Sequence, residues 1–248
     1  MLNSINNFKL NPSKPSIQKG ALSKSESAPF FVSFEGGEGA GKSSLIQFFL
    51  KLLNKSSIQH TLLREPGGTL IGEKIREILI DNSNNELSTH SEALLYSASR
   101  AQLIHEKIRP SLKSGLSVVC DRFVDASLAY QGIGRKLGLK AIQDLNLWAT
   151  QGHFPDCTFI VDVDPEIGLK RAAIRQSGKL DRIESESIVF HQNVRNAYLE
   201  ISKCFPDRII LIDGNQSQED VSIDFENKWT QWHTNWTQRV GQSSLLDY

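Results

Sequence analysis

Cysteine is scarce in this 248-residue chain: Cys120, Cys157 and Cys204 are its three, and no two stand at CxxC spacing. That excludes a disulfide framework and a CxxC-type zinc centre, and it reads instead as small buried apolar groups in a reducing compartment. Long apolar runs are missing as well. No uninterrupted stretch approaches the roughly 18 residues of a membrane-spanning helix, so no membrane association is expected. An excess of either charge is also absent. The 28 Lys and Arg side chains cancel the 28 Asp and Glu, which excludes a broad nucleic-acid surface but leaves room for a local phosphate site.

Acids and arginine are both thin in residues 1–28. The segment holds Lys9, Lys14, Lys19 and Lys24 against Glu26, with no Arg and much Ser and Asn. Its scattered apolar residues do not offset the entropy of ordering, so it reads as a disordered N-terminal extension. Acid-poor, Ser-rich leaders also direct proteins into organelles, but such leaders are rich in Arg. A cytoplasmic protein is therefore the expectation, with organelle targeting as the alternative.

From residue 29 to 248 the chain reads as one folded domain. Strand-like runs at Phe30–Phe34, His60–Leu63, Ser117–Cys120, Cys157–Val163 and Ile209–Ile212 alternate with helical patterns. The helices are expected at Leu45–Leu53, Ile71–Ile80, Glu92–Leu112 and Ala141–Thr150, with another opening at Asp164-Pro165. Five strands separated by helices predict an α/β fold: three layers, with a five-stranded parallel sheet flanked by helices. Ligands of such folds bind beyond the carboxyl ends of the strands. Near the C-terminus Phe225, Trp229, Trp232 and Trp236 form one helical stripe, which reads as packing onto the sheet and not as a base-stacking face.

The sharpest motif follows the first strand. Gly36-Gly37-Glu38-Gly39-Ala40-Gly41-Lys42-Ser43 fits GxxxxGK[ST] between a strand and a helix, with Ser44 next in the first turn. The glycines let backbone N–H groups curl round a phosphate, the helix N-terminus adds its positive end, Lys42 reaches the β- and γ-phosphates and Ser43 is placed to ligate Mg²⁺. ATP or GTP binding follows. A GTPase would need an NKxD-type segment after a late strand, and neither Val161–Asp164 nor Leu211–Gly214 is followed by one.

Three further segments suit an acceptor that is itself a phosphate ester: Arg64-Glu65-Pro66-Gly67-Gly68-Thr69, Asp121-Arg122-Phe123, and the helix Tyr96–Arg100, where a ring and a guanidinium four residues apart share a face. Together with SLAYQG at 127–132 and LDRIE at 180–184, these ordered segments resemble bacterial thymidylate kinases with a basic lid. The resemblance implies the P-loop nucleoside monophosphate kinase fold. It also implies transfer of the ATP γ-phosphoryl group to dTMP with Mg²⁺, and a homodimer.

It further implies that Arg122 binds the dTMP 5′-phosphate with help from Arg64, and that Asp121 acts near Mg²⁺. Tyr96, where the family more often has Phe, stacks on thymine, and Arg100 reads a thymine carbonyl. Tyr130 packs where a 2′-hydroxyl would sit, Ser127 and Gln131 line the same wall, and Glu38 helps orient the acceptor end of the loop. The loop carries Glu38 and no Arg, so the transfer-stabilising cation is expected from a lid at about 171–185, with Arg175 first and Arg171 second. Ordinary alternatives stand beside these roles: Arg64 and Arg122 as salt-bridge partners of nearby acids, Tyr96 as core, the lid cations as a solvated face. Another monophosphate kinase, a nucleoside kinase with Glu65 as base, and a silent nucleotide-binding regulator remain the competing functions.

Overall fold

The computed structural model describes residues 28–175 and 180–243. The expected N-terminal extension, apart from Ala28, lies outside the described residues, as do residues 176–179 of the expected lid.

The five expected strands form one parallel sheet: β1 (Phe31–Gly36), β2 (His60–Arg64), β3 (Ser117–Asp121), β4 (Cys157–Asp162) and β5 (Ile209–Asp213), in the order β2-β3-β1-β4-β5. Strand β1 lies at the centre with all six residues buried. Its two faces differ in chemistry because successive side chains alternate. Phe30 (just before the strand), Val32 and Phe34 point into an apolar layer built from helices α1 (Lys42–Lys55) and α9 (Gln218–Ser243). In that layer Phe34 lies 5.5 Å from Phe49, and Phe49 lies 4.6 Å from Trp229, ring centre to ring centre. The C-terminal aromatic stripe is core, as the sequence suggests, with Trp229, Trp232 and Trp236 all buried.

The other face carries Phe31, Ser33 and Glu35, so it is apolar at one end and polar toward the carboxyl end of the strand. Phe31 packs on Leu103, Val118 and Phe123. Helices α2 (Leu70–Ile80), α3 (Thr89–Leu103), α6 (Leu139–Thr150), α7 (Pro165–Arg175) and α8 (Ile188–Cys204) complete the layers.

Three features depart from the expected helices. The helix expected over Glu92–Leu112 starts earlier, at Thr89, because Ser88 caps it by accepting from the Ser91 N–H. It then widens into a π-helical turn at Ile104–Ile108 before a short α4 (Arg109–Lys113). Pro110 explains the widening, since its ring presses on the carbonyl of Glu106 and it offers no N–H to that group. After β3 the chain forms α5 (Val124–Ser127), which continues as a π-helical segment over Leu128–Gly134. Helix α8 was not anticipated, although Ser187 caps it and Phe190, Val194, Ala197, Tyr198 and Ile201 bury one face.

Replacing Trp229 by Ala should cost about 3–5 kcal/mol, as buried aromatic truncations do. Replacing the 81% exposed Trp148 should change stability by less than about 0.5 kcal/mol. Equilibrium urea unfolding of both variants checks the contrast.

Candidate functional site

The carboxyl ends of β1, β2 and β3 deliver Gly36, Arg64 and Asp121 to one edge, since Arg64 and Phe34 both stand in register with Asp121. The loop from Gly36 to Gly41 then folds over that edge. Gly36 has φ 135°, and a Cβ there would lie 2.4 Å from the Val161 carbonyl oxygen. Gly39 has φ 62°, and its Cβ would lie 1.9 Å from the carbonyl oxygen of Gly168 on α7. Neither position accepts a side chain, so the loop backbone is clamped between β4 and α7. Gly41 begins α1 without a capping side chain, leaving first-turn N–H groups for an anion. Ser43 and Ser44 are exposed in that turn.

Two cations meet in this loop. Lys42 Nζ donates to the carbonyl oxygens of Gly36 at 3.0 Å and Gly37 at 2.8 Å. Arg122 Nη1 donates to the same Gly36 oxygen, also at 3.0 Å. Arg122 stands in the left-handed region at φ 68°, unusual for a side-chain-bearing residue, and its N–H donates to the Phe34 carbonyl at 2.9 Å. Its Nη2 pairs with Glu38 Oε1 at 2.7 Å, and the same oxygen accepts from the Tyr130 hydroxyl at 2.8 Å. The guanidinium lies 5.1 Å from the centre of the Tyr130 ring.

The electrostatics follow from this crowding. Burial opposes ionisation of Glu38, but Arg122, Lys42 and the Tyr130 hydroxyl outweigh it and bring the carboxyl down to about 2. Burial, reinforced by Arg122, lowers the Lys42 ammonium to about 8 despite Glu38 and Asp121. Beneath them Glu35 is fully buried and accepts from the Phe123 N–H at 2.7 Å and the Tyr198 hydroxyl at 2.9 Å. Burial and the neighbouring Asp125 push its carboxyl up to about 8, against the pull of Arg122.

The residues expected on the acceptor side lie on two facing helical surfaces. Glu92, Tyr96 and Arg100 recur every four residues along α3, and Ser127 and Gln131 do the same on the segment that follows β3. Arg100 donates to Ser127 Oγ at 3.0 Å, Gln131 donates to Glu92 at 2.9 Å, and the half-buried Tyr96 sits on α3 between those two contacts. Burial raises the Tyr96 hydroxyl above its usual range, with Glu92 adding to it and Arg122 and Arg182 opposing.

Some expected site residues hold other positions. Arg100 is 1% exposed and pairs with Glu65 through Nη2 at 2.6 Å, while Nη1 donates to Asn146 and keeps a second N–H. Arg64 is an exposed partner of Glu73 at 2.7 Å, the ordinary salt-bridge reading of that residue. Arg171 is exposed and donates to the Gly214 carbonyl at 3.3 Å. Arg175 ends α7, and its side chain lies outside the described residues.

Glu35, Tyr198, Glu92 and Arg135 were missed by sequence reasoning. A carboxylate inside the buried strand FVSFEG is itself a signal, since such a group needs partners. Tyr198 gave none without its helix.

A cleft of about 420 Å³ at the same edge is lined by Ser43, Asp121, Arg64 and Gly68. Among the described residues no cluster of three or more His, Cys, Asp or Glu could cage a metal. One hydroxyl and one carboxylate fit Mg²⁺, which is commonly held through a few protein groups together with substrate phosphates. Among the described residues no helix is long and apolar enough to cross a membrane.

A family model described as thymidylate kinase matches residues 34–224. The thymidylate kinase of Pediococcus pentosaceus is 47% identical over 195 residues, covering 78% of this chain and 93% of that protein. Those of Lactobacillus helveticus and Acholeplasma laidlawii are 47% and 46% identical, covering 77% and 75% of this chain and 91% and 92% of their own.

Lys42 carries its charge below about pH 8 and loses it above. ATP affinity should therefore be full at neutral pH and fall on the alkaline side, by up to about one decade per pH unit, with proton uptake on binding. Calorimetric titrations in buffers of differing ionisation enthalpy measure both quantities. Lys42→Arg, charged throughout that range, should flatten the slope.

Proposed function

Because the chain belongs to the thymidylate kinase family, we propose a division of its residues between the two halves of one reaction, the transfer of the γ-phosphoryl group of ATP to dTMP to give dTDP. The observation that carries this reading is the shared Gly36 carbonyl. Lys42, the donor-side cation, and Arg122, the acceptor-side cation, converge on one oxygen atom. Two phosphates drawn to those cations are brought close together, as in-line transfer requires.

Lys42, Ser44 and the N–H groups of Gly37–Ser43 hold the ATP phosphates. Ser43 and Asp121 would hold Mg²⁺, which would supply positive charge against the charge developing on the phosphates. Arg122 takes the acceptor 5′-phosphate, with Arg64 assisting once it leaves Glu73. Glu38, fixed by Arg122 and Tyr130, orients the sugar. Tyr96 stacks on the base, Arg100 offers it the remaining Nη1–H, and Tyr130, Ser127 and Gln131 line the wall where a 2′-hydroxyl would clash.

No general base is needed, because the attacking phosphate is already anionic at neutral pH. The nucleoside-kinase alternative asks Glu65 to serve as base, but Glu65 is 4% exposed and spends both oxygens on Arg100. An uncharged acceptor would also give Arg122 no phosphate to bind, leaving it with Glu38 alone. Residues 29–248 then form the kinase domain, with a lid at about 171–185. A cytoplasmic homodimer fits this reading, and exposed Leu70, Ile71, Ile78 and Leu94 on α2 and α3 provide apolar area for a subunit contact.

Comparing four acceptors tests the assignment. The expected order of kcat/KM is dTMP above dUMP by about 10–200-fold, the worth of one methyl group in an apolar pocket, with UMP and thymidine far below. Thymidine turned over as well as dTMP would remove Arg122 from the acceptor site.

The lid cation has its own test. Arg175→Ala should lower kcat by about 10³–10⁵, the worth of an arginine finger, while Arg171→Ala stays within a few-fold. The opposite ranking would hand the role to Arg171.

A further inference from the structure

Glu92 is a carboxylate that the mechanism above does not use, yet it is 1% exposed and among the most heavily engaged acids in the molecule. Its Oε2 accepts from Arg135 Nη2 at 3.1 Å and pairs with Arg182 Nη2 at 2.8 Å. Its Oε1 accepts from Arg135 Nε at 3.2 Å and from Gln131 Nε2 at 2.9 Å. Burial alone would raise this carboxyl, but the hydrogen bonds from Arg135, Gln131 and Arg182 outweigh it and hold it below its usual range. Glu92 is thus ionised and can only accept.

That constrains Gln131. A side-chain amide has a donor end and an acceptor end of nearly equal shape, and it turns over whenever its surroundings permit. Facing an ionised carboxylate, it must present its NH₂ group, because the reverse orientation sets two acceptors against each other. The amide oxygen is then directed elsewhere. It has no hydrogen-bond partner among the described residues, and it is not among the buried polar atoms sealed away from any approach. Gln131 is one helical turn beyond Ser127, adjoins Tyr130, and faces α3 one turn before Tyr96.

We propose that Glu92 is a positioning residue for base selection: it pins the Gln131 amide with its oxygen toward the acceptor base. The site thereby accepts a base edge bearing a ring N–H donor and rejects one bearing a lone pair at that place. Thymine and uracil carry the N–H; cytosine carries the lone pair. The inference rests on the acceptor being a pyrimidine deoxynucleoside monophosphate, as proposed above.

The test uses Glu92→Gln, Gln131→Met and the double variant of the full chain, each assayed on dTMP, dUMP and dCMP from one preparation. Ratios of kcat/KM within a preparation are insensitive to the fraction folded. In Glu92→Gln the neutral side chain can donate or accept, so the Gln131 amide is free to turn. The dTMP:dCMP ratio should fall at least about tenfold, the scale of one misdirected hydrogen bond. The dTMP:dUMP ratio should stay within about twofold, because both bases carry the N–H. Glu92→Asp, still ionised, should recover part of the discrimination. In the Gln131→Met background Glu92→Gln should cause no further fall.

An unchanged dTMP:dCMP ratio in Glu92→Gln would overturn the proposal, and so would a fall that persists without the Gln131 amide. A wild-type enzyme that does not turn over dTMP would instead overturn the acceptor assignment itself.

Discussion

Two positive charges held against one carbonyl oxygen set the terms for this molecule. Lys42 and Arg122 repel one another at the lip of β1, and Arg122 lies in a left-handed backbone conformation that costs energy of its own. Such an arrangement persists only if its surroundings over-determine it. Glu38 supplies the counter-charge, and Tyr130 fixes Glu38. The loop glycines allow the backbone to pass where side chains would collide with Val161 and Gly168. The two cations are thus fixed in place by the protein itself, which is what electrostatic preorganisation requires.

Support comes from below as well. The polar residues on one face of β1 belong to a buried network: Ser33 with Thr158, Thr158 with Asp125, and Asp125 with Arg208 through two hydrogen bonds of 2.7 Å. Glu35 and Tyr198 extend it to the backbone of Phe123, and Tyr198 lies 3.5 Å from Arg122. An apolar face here would pack more simply. A fully satisfied polar one fixes orientation, since each group has few alternative partners in a low-dielectric interior.

The sequence was legible where local physics decides. Strand runs such as Val118–Cys120 are buried on both faces and read as strands, and the glycine loop declares itself through residues that only a tight backbone needs. Elsewhere tertiary contacts decide. The π-helical segment over Leu128–Gly134 depends on packing against α8, which no local propensity encodes. Arg64, after a strand, and Arg100, on a helix, both read as acceptor-site guanidiniums, but one is exposed beside Glu73 and the other is sealed against Glu65. The buried pair joins residues 35 positions apart and the exposed pair residues nine apart, so neither pairing shows in the local sequence. Glu92 gave no signal beyond opening an expected helix, because its partners Gln131, Arg135 and Arg182 lie far along the chain.

The family match stops at residue 224, whereas the helix that begins at Gln218 continues to Ser243. All four residues of its inward aromatic row, Phe225, Trp229, Trp232 and Trp236, therefore lie past the residues that the family model matches, although Phe225 lies 4.9 Å from Phe159 and Trp229 lies 5.1 Å from Phe30. A boundary drawn by kinship and a boundary drawn by burial thus disagree in this chain. Ending the chain at residue 224 would strip the roof from the central strand and present Phe30, Phe49 and Phe159 to water. The folding unit is larger than the heritable signature that identifies it.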